Sequence, residues 1–361
     1  MQATANHTAA LSEGRMIGNR ALRQQLAEEI RQGTLTHAYL IEGAAGMGKH
    51  LLARELCAAM SCQNRAGALP LPCGGCPSCE KILNGKSPDV TVIGRQEDRV
   101  TIGVDDVRFL RADVLVPPND LDHRFYIIED AHTLTSQAQN ALLLTLEEPP
   151  AYVVFLLLCE NSANILETVR SRAPSLRLCP VADAELDAHL SKTQRAYTML
   201  EEKDRKELLC MAAGSTGRAL ELLDGRARKP LLEKRRFVER AVETILSTER
   251  KDTVRTLELL GGFGTVRDEV ISRLVLLQQA LRDLMLLKHS EEVSLLFYAD
   301  REEAMQLSQK TTVATLHLAQ QRVAYTRERA LHNANLKLAL SELLLCDDDA
   351  FARQLRHGEF L

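Results

Sequence analysis

The sequence predicts an α/β nucleotide-binding fold with a doubly wound parallel sheet, followed by a region built only of helices. Three observations carry this. A glycine-rich loop at 43–50 sits between an apolar run and a helical pattern. Continuous apolar runs, the mark of strands buried on both faces, alternate with helical stretches up to about residue 178. After that point strand patterns stop and amphipathic helical spacing takes over.

The chain has 361 residues, enough for two or three domains. Residues 1–15 are small and polar, without a basic start or an apolar stretch, so they predict a disordered leader and no signal peptide. Leu22, Leu26 and Ile30 recur at helical spacing within 19–32. His37 to Glu42 reads as a strand ending at glycine. Residues 43–50, Gly-Ala-Ala-Gly-Met-Gly-Lys-His, then match a phosphate-binding loop at every fixed position but the last. Gly43, Gly46, Gly48 and Lys49 supply the cradle, and the helix over 49–61 aims its N-terminus at a phosphate. His50 stands where a Ser or Thr hydroxyl would hold Mg²⁺, an ion that prefers oxygen ligands. This predicts weak or absent binding of ATP and Mg²⁺.

Nine cysteines occur, and four of them, Cys62, Cys73, Cys76 and Cys79, fall close together. Pro72, Gly74, Gly75 and Pro77 predict tight turns between them. Four thiolates complete a tetrahedral zinc site with no open position, so a structural Zn²⁺ is expected. Cys57 reads as a buried helix residue, and Cys159, Cys179, Cys210 and Cys346 as isolated core thiols.

Strands are predicted at 89–93, 125–128 and 153–159, with helices at 104–115 and 136–146. The run 125–128 ends in Glu129-Asp130, a Walker B acid pair in reversed order. Arg170 and Arg172, and Arg218 in Gly214–Leu220, are candidates for phosphate contacts. Short helices are expected at 184–190, 204–213 and 217–223, and longer ones from Lys229 on, including 253–260, 270–288 and 315–345.

Net charge is −4, which excludes a chain that is basic throughout and leaves any DNA contact local or shared. No apolar run approaches the roughly 18 residues of a membrane span.

Taken together, the motifs resemble the bacterial DNA polymerase III clamp-loader family, of the AAA+ class. The likeness rests on Ile17-Gly18-Asn19, His37–Leu40, the phosphate loop, the four cysteines, Ser87-Pro88-Asp89, Ile128–His132, Asn140–Leu143 with Thr145–Pro149, Val169–Arg172, Gly214–Leu220 and Asn335–Leu340. It implies an AAA+ core over 16–178 with an inserted zinc module at 62–79, a helical lid over 179–228 and a helical collar over 229–361. Of the family's subunit types the chain resembles delta-prime, because Lys49-His50 and Glu129-Asp130 replace the Lys-Thr and Asp-Glu of the gamma/tau motor. Leu144, where the family carries Lys, and Cys159-Glu160-Asn161 also depart from a working ATPase. The resemblance further implies that Arg172, in Ser171-Arg172-Ala173, is an arginine finger for a neighbour's ATP, and that Arg218 is the lid arginine.

Expected partners are the gamma/tau and delta subunits in a five-membered ring, the sliding clamp, and primed DNA through the complex. The expected location is the bacterial cytoplasm at the nucleoid, with no membrane. Polymerase chemistry would belong to the holoenzyme. Two other functions stay open from the residues: an active gamma/tau-type ATPase using Glu129 or Asp130, and a zinc-dependent DNA-binding module.

Overall fold

A computed structural model describes residues 16–65, 71–95, 99–247, 253–290, 293–332 and 334–345. The leader 1–15 and Cys346 lie outside the described residues. The chain divides into two compact units, Met1–Thr198 with Gly214–Arg218, and Met199–Ala213 with Ala219–Leu361.

The first unit holds five strands: β1 (Ala38–Glu42), β2 (Val90–Ile93), β3 (Arg124–Ile128), β4 (Val153–Cys159) and β5 (Ser175–Arg177). All pairs are parallel, in the order β2-β3-β4-β1-β5. β4 is buried along its whole length because β3 and β1 flank it, Ile127 and Leu40 facing Leu156 and Leu157. Successive side chains point to opposite faces. Tyr39, Ile41, Phe125 and Ile127 therefore join one core, while Ala38, Leu40, Tyr126 and Ile128 join the other. Helices α1 (Arg20–Gln32), α2 (Lys49–Met60) and α3 (Pro77–Leu83) contribute to the first core. Helices α4 (Val104–Asp113), α5 (Ser136–Glu147) and α6 (Glu167–Arg170) contribute to the second. The unit also carries α7 (Asp183–Thr193) and α8 (Arg195–Thr198).

Two polar side chains tie this unit together. The Asn19 amide group donates to the carbonyl of Cys179 and accepts from its amide, bridging 160 residues of sequence. Buried Asp89 accepts the backbone amides of Asn119, Asp120 and Leu121, which fixes the loop that enters β3.

Four local expectations need correction. Cys179, expected as a core thiol, is exposed. β5 is a strand that the pattern did not mark. Pro77 opens α3 at its first turn, where a missing N–H costs nothing, and is not a tight-turn residue. The stretch expected as one helix from 315 to 345 is two, α15 (Val313–Leu331) and α16 (Leu336–Leu345).

The second unit also contains α9 (Glu202–Ala212), α11 (Gly225–Leu246), α12 (Thr253–Gly262), α13 (Arg267–Leu286) and α14 (Arg301–Gln309). Helix α10 (Thr216–Leu223) starts among residues of the first unit and runs into the second. Among the described residues there is no strand after Arg177. The core of this unit includes Phe237, Phe263, Leu274, Leu277, Leu281 and Leu316, with Phe237 and Phe263 edge to face at 4.9 Å. Fully buried Asp283 accepts the amides of Leu296, Phe297 and Tyr298. No helix among the described residues is long and apolar enough to cross a membrane.

Candidate functional site: a phosphate loop engaged with its own chain

The glycine-rich loop leaves the C-terminal end of β1 and feeds α2, as a phosphate cradle requires. Gly46 and Gly48 take positive φ of 74° and 88°. Lys49 is 7% exposed, and its Nζ donates to the carbonyls of Gly43 at 2.7 Å and Ala44 at 3.0 Å. Burial pushes its ammonium pKa down, while Glu160, Asp130 and Cys159 nearby pull it up. The lysine thus satisfies its own loop.

The segment Gly214–Arg218 closes on the same loop. The Gly217 amide donates to the Gly46 carbonyl at 2.8 Å, and Ser215 Oγ donates to the Ala45 carbonyl at 3.1 Å. The approach is so close that a Cβ on Gly217 would lie 2.8 Å from Gly46 Cα. Arg218 is brought to the loop by its backbone only. Its side chain is exposed and has no hydrogen-bond or ion-pair partner among the described residues.

The acid pair stands at the end of β3, as expected, but both carboxylates are engaged. Glu129 Oε1 lies 3.1 Å from His50 Nδ1, with both side chains partly exposed. Asp130 accepts from Arg95 at 2.8 Å and itself sits in the left-handed region, at φ 47°. His50 therefore fills the place of a lost hydroxyl and also contacts the Walker B glutamate. The sequence had no signal for that pairing. Asn161 Oδ1, at the end of β4, accepts the Ala163 amide. Cys159 is buried, and burial pushes its thiol up to about 11.

Arg172 stands apart from this loop. Its Nη2 meets Glu147 Oε1 at 2.7 Å, and its Nη1 donates to the Thr168 carbonyl at 2.9 Å. About a third of the side chain is exposed. Gln139, which sequence reasoning missed, orients the neighbouring turn. Its amide group donates to the carbonyls of Leu134 and Asn164 and accepts from Leu166 N.

Cys62, Cys73, Cys76 and Cys79 converge, their sulfurs all within 4.8 Å of one another. A tetrahedral zinc thiolate site, with Zn–S near 2.3 Å, needs sulfurs about 3.8 Å apart. Cys73 Sγ and Cys79 Sγ are 3.9 Å apart, so the four residues fit such an ion. Cys62, Cys76 and Cys79 are buried against α2, and Cys73 is half-buried. Cys57 lies in the α2 core and is not part of the cluster.

A five-stranded parallel sheet with β4 inserted between the phosphate-loop strand and the acid-bearing strand defines a P-loop fold of the AAA+ type. The family model described as "DNA polymerase III, delta subunit" matches residues 18–182. Over that segment the chain is similar to subunits of the bacterial DNA polymerase III clamp loader.

Two curated relatives show the range. The DNA polymerase III subunit tau of Bacillus subtilis is 31% identical over 58% of this chain and 36% of its own length. The DNA polymerase III subunit delta' of Pseudomonas aeruginosa is 35% identical over 50% of this chain and 53% of its own length. The chain thus spans about a third to a half of the length of these relatives. A solved gamma subunit-related protein from Thermotoga maritima is 19% identical, covering 91% of this chain and 99% of its own, with a TM-score of 0.39.

Proposed function

We propose that this chain is a delta-prime subunit of a DNA polymerase III clamp loader that does not hydrolyse ATP itself. The observation that carries the proposal is the His50–Glu129 contact. A histidine replaces the Mg²⁺ hydroxyl and meets Glu129, the first acid of the reversed Walker B pair, while Lys49 is bound to its own loop. On this reading ATP and Mg²⁺ bind weakly or not at all, and Arg218 has no phosphate of its own to sense.

Arg172 is the residue proposed to act, on ATP held by a neighbouring subunit. An arginine finger stabilises charge that develops on the transferred phosphoryl group, and is worth about 10³–10⁵ in rate in sites of this kind. Its Glu147 partner is half exposed. Exchanging such a surface pair costs only about 0–1 kcal/mol, little beside that gain. Cys62, Cys73, Cys76 and Cys79 would hold a structural Zn²⁺, which stabilises the fold. A lid over 179–228 and a collar over 229–361 complete the proposed organisation. The proposed partners are gamma/tau and delta subunits in a five-membered ring, the sliding clamp and primed DNA, in the cytoplasm.

The test is ATP turnover by the purified chain, alone and mixed with motor and delta subunits. The expected result is no turnover alone and stimulated turnover in the mixture. Arg172→Ala should abolish the stimulation without loss of assembly. Robust turnover by the chain alone, abolished by Lys49→Ala, would make it a gamma/tau-type motor instead. Normal stimulation by Arg172→Ala would remove the finger assignment.

A further inference from the structure

The chain is acidic overall at −4, but α11 concentrates the opposite sign, with seven Lys and Arg against three Glu between Gly225 and Leu246. A residue in an α-helix turns about 100° from the one before it, so positions i, i+3, i+7, i+10 and i+14 share one face. Those positions are Arg226, Lys229, Glu233, Arg236 and Arg240, and all five are exposed. The buried side of the helix supplies Phe237, Val238, Ala241 and Val242 to the core of the second unit.

Two other cations of the helix are used internally. Arg235 lies over the Phe297 ring and donates to Cys210 Sγ, and Lys234 donates to Ser272. The four cations of the exposed stripe make no side-chain hydrogen bond or ion pair among the described residues. At a rise of about 1.5 Å per residue the row spans about 21 Å, across the Pro230 that lies inside the helix.

We propose that this stripe docks on the phosphate backbone of duplex DNA without regard to sequence. A row of cations along a helix suits a polyanion with regularly spaced charges. Three of the four are arginines, whose planar forks match phosphate oxygens bidentately. The face carries no aromatic side chain on which unpaired bases could stack, the chemistry single strands call for. It also carries two acids, Glu233 at its centre and Glu243 one turn beyond Arg240. The proposal rests on α11 alone and is independent of Arg172 and of the phosphate loop.

The test uses the full chain and fluorescence anisotropy with a labelled duplex and a labelled single strand of equal length. Four phosphate contacts should make the affinity of the unaltered chain for duplex fall about 10²-fold between about 50 and 200 mM salt. The variant R226A/K229A/R236A/R240A should melt at the same temperature and lose most of that salt dependence. Glu233→Lys should bind duplex more tightly than the unaltered chain, a gain that a misfolded variant would not give. Equal affinity and equal salt slope in the unaltered chain and the fourfold variant would overturn the proposal. So would a preference for the single strand, or a stripe that binds only an acidic protein.

Discussion

Replacing Asp89 with alanine removes the one acceptor that three consecutive backbone amides share. The carboxylate is 1% exposed and takes Asn119, Asp120 and Leu121 at 2.6, 2.7 and 2.9 Å. A hydrogen bond to a charged acceptor contributes about 1.5–3 kcal/mol. Asn119 and Asp120 are exposed, so their amides recover part of this by turning to water. The expected cost therefore falls below the roughly 4.5 kcal/mol at the low end of the sum, at about 3–4 kcal/mol. Asp89→Asn keeps one carbonyl oxygen with two lone pairs, and should lose about half as much. Chemical denaturation would read the total, and hydrogen exchange at residues 119–121 would read the local effect. The loop leads directly into β3, so faster exchange should extend toward Phe125, whose amide donates to the Asp89 carbonyl. Unchanged exchange at the three amides, with stability within about 0.5 kcal/mol of the unaltered chain, would refute the reasoning.

Two further outcomes are expected. His50→Thr gives up a partly exposed contact worth at most about 1 kcal/mol and restores a hydroxyl for Mg²⁺. With Mg-ATP at about 100 times its Kd, the variant should gain about 2.7 kcal/mol in a thermal-shift assay. The unaltered chain should gain none; an equal shift in both would contradict the degenerate-site argument. In the metal-free chain, hydrogen bonds from the Gly75 and Cys76 amides pull the Cys73 thiol down to about 6, whereas burial pushes Cys57 up. The folded state favours the Cys73 thiolate, so its contribution to stability is complete above the ordinary thiol pKa and is lost as pH falls through about 6. Iodoacetamide should label Cys73 with a midpoint near that pH, well ahead of Cys57, and Zn²⁺ should suppress the labelling. Labelling indifferent to Zn²⁺ would speak against the metal site.

The strands β1, β3 and β4 were legible because burial on both faces leaves unbroken apolar runs. The four cysteines were legible because few structures other than a metal site bring such spacing together. β5 escaped because only Leu176 of its three residues is buried, which leaves no period to detect. Pro77 misled because proline marks a turn and a helix start equally well. The contacts of His50 with Glu129, Asn19 with Cys179 and Gln139 with Leu166 join residues far apart in sequence. A polar side chain carries no sign in its own neighbourhood of the distant group it will meet. The motif at Asp89 could be seen, but its work as a triple acceptor became visible only with the loop in place.

The five residues Gly214–Arg218 have a practical consequence for anyone dividing this protein. They belong with the sheet, although a stretch of the other unit separates them from it in sequence. A fragment ended at Thr198 would keep every strand and both cores, yet lack the residues that cover Gly46 and take up the Val181 amide. Autonomy of the first unit is therefore not a matter of contiguous sequence. A faithful excision would have to carry the pentapeptide along, by a tether or by permuting the chain.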